Sequence, residues 1–210
     1  MVAGMGSAGI DGAIVLAGGG SSRMGRDKSW LEFDGRPLLA HVIELLAGRC
    51  APIVVSTQAG QTLPPVAVEL IRVDDPTVDA GPIVGLRAAL LQLEARGVAF
   101  AYLSSCDAAA LSEVHVNFML ERLRNREALA VVACDADGRR HPLASAVAVS
   151  AMLARVEDRI AAQDHRLQAL FSGPEMLEIA SDELPDPEVL APCNTPQEWA
   201  LLLNRRAARG

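Results

Sequence analysis

The sequence predicts a three-layer α/β/α fold built on a mostly parallel central sheet. Three observations lead there. Short, almost unbroken apolar runs such as residues 13–16 and 98–104 have the composition of strands covered on both faces. Segments with apolar residues at helical spacing alternate with those runs along the chain. Glycine and proline punctuate the joints: Gly18, Gly19 and Gly20 after the first run, Gly81-Pro82 before a helical pattern and Gly97 behind it.

Taken in order, residues 13–16 (Ala-Ile-Val-Leu) form the first strand. A helix follows over 37–48, with Pro37 at its start, where a fixed φ and a missing N–H do no harm. Strands are expected at 53–56 and 66–73, then a helix over 82–96 opened by Gly81-Pro82 and closed by Gly97. The fourth strand is 98–104. Ser112 is placed to cap a helix over 112–125. Strands at 129–134 and 144–149 flank the turn Asp135-Ala136-Asp137-Gly138, and helices follow near 151–159 and 163–171. Thr195-Pro196-Gln197-Glu198 reads as a capping box that opens the last helix. With no internal repeat or low-complexity linker, residues 11–210 read as one domain behind a small, glycine-rich flexible tail over 1–10.

Composition narrows the function. Half of the 210 residues are apolar, and a chain of this length buries roughly 70% of its unfolded surface without a metal or disulfide staple. Aromatics make up 3% and the formal charge is −7, which argues against a nucleic-acid surface. Cys50, Cys106, Cys134 and Cys193 form no C-x-x-C pair and read as free buried thiols of a reducing compartment, so a cytoplasmic location is expected. The first residues lack the cationic start and apolar core of a signal peptide, and no run approaches the ~18 apolar residues of a membrane span.

The chemistry concentrates after the first strand, in Leu16-Ala17-Gly18-Gly19-Gly20-Ser21-Ser22-Arg23-Met24-Gly25-Arg26-Asp27-Lys28. Successive glycines let backbone N–H groups approach a ligand, and Arg23, Arg26 and Lys28 add positive charge, a pattern suited to a polyphosphate. It is not the P-loop pattern G-x-x-x-x-G-K-S/T. Nor is it a dinucleotide fingerprint, because Arg23 stands where the third glycine belongs. Asp107, just past the fourth strand, is the best metal candidate, since ligands of such sheets sit beyond the carboxyl ends of the strands. Each residue also has a plainer account. The glycines could form an ordinary turn, Asp107 could be a helix cap, and Asp74 could belong to the turn at Asp75-Pro76. His141 could be structural, and Arg139, Arg140 and Arg166 could be solvated surface charges.

Leu16-Ala17-Gly18-Gly19, Arg23-Met24-Gly25, Lys28 and Gly35-Arg36-Pro37-Leu38 with His41-Val42 resemble the molybdenum cofactor guanylyltransferases, within the larger group of Rossmann-like nucleotidyltransferases. The resemblance continues through Asp74, Gly81-Pro82-Ile83-Val84-Gly85-Leu86, Cys106-Asp107, His141-Pro142 and Asn194-Thr195-Pro196, in the family's order over nearly the whole chain. It implies a Rossmann-like nucleotidyltransferase fold. It also implies Mg²⁺-dependent transfer of GMP from GTP to the terminal phosphate of the molybdopterin cofactor, with release of pyrophosphate. Carried over residue by residue, Lys28, Arg23 and Asp107 would be catalytic and Asp107 would hold the metal. Leu16, Ala17, Gly18, Gly19, Lys28, Ser56, Asp74 and Asp107 would contact the nucleotide. His141, Asn194 and Arg166 would meet the acceptor. Proteins that supply the cofactor, or molybdoenzymes that receive it, would be transient partners.

The chain departs from the family pattern in Ser56, where asparagine is usual, in Ala108-Ala109-Ala110, where a proline is usual, and in Pro192-Cys193 before Asn194. Cytidine-using relatives tend toward Leu-Ala-Ala-Gly in the first loop; the missing methyl at Gly18 leaves room for a purine. Another base or acceptor, as in a cytidylyltransferase for the same cofactor or a sugar-phosphate nucleotidyltransferase, stays open at this stage, as does a non-catalytic nucleotide-binding module.

Overall fold

The computed structural model describes residues 10–18, 27–75, 81–193 and 195–207. In chain order its strands and helices are β1 (Gly12–Leu16), β2 (Glu32–Phe33), β3 (Arg36–Pro37), α1 (Leu38–Ala47), β4 (Ile53–Gln58), β5 (Ile71–Asp75), α2 (Pro82–Glu94), β6 (Phe100–Ser105), α3 (Glu113–Arg124), β7 (Ala130–Cys134), β8 (Arg140–Ala148), α4 (Val149–Ala161), β9 (Met176–Ala180) and α5 (Pro196–Ala207). The sheet runs β5-β4-β1-β6-β8-β7-β9. Only β8 opposes its neighbours β6 and β7, because a short turn joins it to β7 and leaves no room for a crossover.

Side-chain alternation along the strands builds the layers. Ala13 and Val15 face one apolar cluster with residues of α1 and α3, while Ile14 and Leu16 face a second with residues of α2 and α4. β1 is buried along its whole length, as the predicted double coverage requires. From β1 the chain moves outward to β4 and β5, then crosses back to β6 on the other side of β1. Strand order therefore reverses between β1 and β6, and the crevice at their carboxyl ends is where such folds take ligands.

Two predicted caps form. Ser112 Oγ accepts from His115 N at 3.3 Å. Thr195 and Glu198 exchange hydrogen bonds of 3.0 and 3.2 Å. Other elements differ from the sequence reading. The strand expected at 66–73 is confined to Ile71–Asp75. Val66, Val68 and Leu70 instead pack as irregular chain against the first cluster, so their alternation reflects burial without ladder bonding. The helix expected at 163–171 shrinks to a 3-10 turn over Leu167–Phe171, because Gln163 is left-handed (φ 56°) and ends the preceding helix. β8 starts at Arg140 instead of 144; Pro142 hid it, sitting where the register with β7 shifts. The β2–β3 hairpin turns on Asp34 and Gly35, both at positive φ, a signal legible in Asp-Gly. β9 closes the far edge beside β7. Among the described residues no helix is long and apolar enough to cross a membrane.

Candidate active site

The carboxyl end of β1 is bound to its neighbour before it departs. Ala17 N and Gly18 N both donate to Ser56 O, at 2.8 and 3.2 Å. A Cβ on Gly18 would lie 3.2 Å from Gln58 N and 3.3 Å from the Thr57 carbonyl carbon. Glycine is therefore favoured because two backbones meet, as well as for any ligand.

Asp27 Oδ1 accepts from Ser29 N at 2.9 Å and caps the 3-10 turn Lys28–Trp30. That turn delivers Lys28 to Asp107. Lys28 Nζ lies 2.5 Å from Asp107 Oδ2, and the two side chains are 15% and 22% exposed. Partial shelter from water strengthens the Coulomb attraction of such a pair relative to an open surface. Ser105 Oγ donates to the other oxygen, Asp107 Oδ1, at 2.6 Å. Asp107 is carried by a tight turn: Cys106 N donates to Leu16 O at 3.2 Å, Ala108 N to Ser105 O at 3.3 Å and Ala109 N to Asp107 O at 2.8 Å. Ala109 and Leu111 anchor this turn in the core, which gives the alanine run a packing reason.

On the other side of β1, Thr57 and Asp74 are register partners on β4 and β5. Thr57 Oγ1 donates to Asp74 Oδ1 at 2.6 Å, and Arg72 Nε donates to the same oxygen at 2.7 Å. The Thr57 hydrogen bond, then that of Arg72, holds the Asp74 carboxyl below its ordinary range. Ser56 is buried beneath α2, where a Cβ on Gly85 would come within 2.3 Å of Ser56 Oγ.

On the β7–β8 side, Asp135 Oδ1 accepts from the N–H groups of Asp137 and Arg139, both at 3.0 Å, and Asp135 Oδ2 lies 3.1 Å from His141 Nε2. The Arg139 amide and then His141 hold the Asp135 carboxyl below its usual range. Arg140 pairs with Glu178. Arg166 grips Asp164 with two nitrogens at 2.8 and 3.0 Å and is 80% exposed. The neighbouring His165 carbonyl lies 3.8 Å from where a Cβ of Gly81 would stand, so this segment borders the start of α2.

The structure thus brings Leu16, Ala17, Gly18, Lys28, Ser56, Asp74 and Asp107 to one edge of the sheet. His141 lies at the first residues of β8, which runs antiparallel and so begins at that same edge. Gly19, Arg23 and Asn194 lie outside the described residues. The sequence reading did not single out Thr57, Ser105, Gln61 or Asp135. Thr57 was legible as the cross-strand neighbour of Asp74; Ser105 and Asp135 depend on turn geometry that no periodicity reports.

Burial pushes Cys106 up to about 12 and Cys193 up to about 11, with Asp107 adding to both. Among the described residues no group of three or more His, Cys, Asp and Glu could hold a metal. The donor chemistry instead fits a hard divalent cation, which takes one or two protein carboxylates and fills its remaining positions with substrate oxygens and water. Asp107, the carboxylate the sequence pointed to for that role, is paired with Lys28 in this structure.

A family model described as a MobA-like NTP transferase domain matches residues 13–179. A curated relative from Mycobacterium tuberculosis, "Probable molybdenum cofactor guanylyltransferase", is 33% identical over 168 residues, covering 79% of this chain and 81% of its own. Among solved structures, the molybdopterin-guanine dinucleotide biosynthesis protein A of Archaeoglobus fulgidus superposes with a TM-score of 0.73 at 16% identity, covering 93% of this chain and 98% of that one. A Mycobacterium tuberculosis protein solved in complex with manganese superposes with a TM-score of 0.59 at 16% identity, covering 93% and 99%. With a strand-order reversal at β1, a glycine-rich sequence after it and this match over most of its length, the chain belongs to the MobA-like NTP transferase family and is a nucleotidyltransferase.

Proposed function

We propose that this nucleotidyltransferase moves GMP from GTP onto the terminal phosphate of the molybdopterin cofactor. One acceptor phosphate oxygen attacks the α-phosphorus, the bond from that phosphorus to the bridging oxygen breaks, and pyrophosphate leaves with the electron pair. The acceptor needs no general base, because a phosphate monoester is already mostly ionised near neutral pH. What the protein must supply is position and fixed charge. The observation that carries this reading is the meeting of Lys28 and Asp107 beside the end of β1.

In this reading Lys28 holds phosphate oxygens and draws off their developing charge. Asp107, oriented by Ser105, would hold Mg²⁺, which would supply positive charge against the phosphate oxygens. The manganese in the fold neighbour supports a divalent ion. Ala17 and Gly18 let the nucleotide approach the backbone, and the resemblance of Leu16-Ala17-Gly18-Gly19 to the guanine-using relatives favours guanine. Asp74, held at one oxygen by Thr57 and Arg72, accepts from the ribose or the base. Ser56 lines the floor. The family resemblance adds Gly19 and Arg23 for the triphosphate and Asn194 for the acceptor. His141, steadied by Asp135, and Arg166, once it exchanges Asp164 for a phosphate, complete the acceptor side. The names carried by the relatives support this choice of base and acceptor. The reaction belongs in the cytoplasm, where free cysteines stay reduced.

The test is to incubate the pure protein with each nucleoside triphosphate in turn, Mg²⁺ and molybdopterin, and to follow pyrophosphate. GTP alone should support rapid release. Release with CTP instead would overturn the base assignment. Nucleotide binding with no release under any acceptor would reduce the chain to a binding module.

A further inference from the structure

Gln61 lies in the turn after β4 and uses every hydrogen-bonding group of its side chain within this region. Its Nε2 donates to Ala17 O at 3.2 Å and to Asp27 Oδ2 at 3.1 Å, while its Oε1 accepts from Gln58 N at 3.1 Å. Its backbone N donates to Gln58 O at 3.0 Å. Ala17 precedes the glycine-rich segment in the sequence and Asp27 follows it. A single amide therefore ties together the point where the chain leaves β1 and the point where it enters the Lys28 turn. A second tie runs beside it, from Trp30 Nε1 to Thr62 O at 3.2 Å. Only a side chain with two amide hydrogens and one carbonyl can serve all three partners at once.

We infer that Gln61 is a positioning residue for the nucleotide: it sets the separation of Ala17 and Asp27, and through Asp27 the placement of Lys28. The inference rests on the proposed nucleotidyl transfer. Asp27 joins the two halves of the argument. Its Oδ2 takes the Gln61 amide and its Oδ1 caps the turn that carries Lys28. Releasing Gln61 frees the carboxylate that fixes the lysine, without touching the Lys28–Asp107 pair itself.

Wild-type transfer from Mg-GTP is measured first. Gln61→Ala should then raise the KM for GTP about tenfold, the low end of the scale for three lost hydrogen bonds, with a smaller fall in kcat through the displaced Lys28 and the acceptor KM within about twofold. Gln61→Glu should be worse, because its carboxylate faces both Asp27 and the Ala17 carbonyl. Adding Asp27→Asn to Gln61→Glu should restore much of the GTP KM: asparagine still caps Ser29 N through its oxygen and now donates to the glutamate. A KM for GTP that stays at the wild-type value, or a uniform fall in kcat with every KM unchanged, or no rescue by the double variant, would overturn the positioning role alone. A wild-type protein that transfers no nucleotide would overturn the parent reading and this one with it.

Discussion

Lys28 and Asp107 are 79 residues apart in the sequence and 2.5 Å apart in the structure. One arrives on a 3-10 turn capped by Asp27, the other on the turn that closes β6. The lysine thus neutralises the carboxylate proposed to take the metal. Both cations compete for one anion. Lys28→Met should therefore tighten binding of Mn²⁺ alone severalfold, as read by the loss of its free-ion electron paramagnetic resonance signal. The same change should lower turnover by about 10²–10³-fold, the scale for removing one preorganised charge. Unchanged Mn²⁺ affinity would show that the pair does not compete.

Asp107→Asn keeps the shape and removes the charge. Asparagine still accepts from Ser105 Oγ, so thermal stability should shift little, while the Mg²⁺ concentration for half-maximal rate should rise at least tenfold. Ser105→Ala leaves the carboxylate in place but unsteered, and should cost about fivefold, the scale of one hydrogen bond. Full activity of Asp107→Asn at limiting Mg²⁺ would remove the residue from the metal site.

Gly85 and Ser56 are coupled by space. A Cβ on residue 85 would stand 2.3 Å from Ser56 Oγ but 3.4 Å from Ser56 Cβ, an ordinary contact. Gly85→Ala should therefore gain nothing in the wild-type background, because the serine hydroxyl must leave its rotamer. In a Ser56→Ala background the same change should stabilise the protein by about 1 kcal/mol, the helix-propensity difference between glycine and alanine. Urea denaturation of the four proteins of this cycle measures the coupling; equal effects in both backgrounds would refute it.

The contrast between these pairs explains what the sequence could reveal. Buried strands announce themselves because double coverage demands unbroken apolar runs, so β1, β4 and β6 were legible. The caps at Ser112 and Thr195 were legible because their chemistry is local. Asp74 was legible by position, but its Thr57 partner required the β4–β5 register. Gln61 carried little local signal, since two of its three bonds reach Ala17 and Asp27, 44 and 34 residues away. β8 was shortened in the sequence reading because Pro142 removes a ladder donor, and only the bulge opposite Val132 and Ala133 shows how a strand accommodates it.

His115 provides a pH test of the fold remote from transfer chemistry. It is fully buried on α3, its ring edge-on to Tyr102 with centroids 6.0 Å apart, and neither ring nitrogen has a hydrogen-bond partner among the described residues. Burial lowers its pKa from 6.5 to about 4, against a small opposing pull from Asp186. Above pH 6.5 both folded and unfolded chains carry a neutral imidazole, so the residue has no effect on pH dependence there. As pH falls from 6.5 toward 4 the unfolded chain takes up a proton that the folded one refuses. Stability is lost across that window and the loss levels off below it, at about 3 kcal/mol. Urea unfolding at pH 7 and pH 5 should show this decline. His115→Phe, which keeps the aromatic contact and removes the titration, should flatten it. A decline of equal size in the variant would assign the pH dependence to other groups.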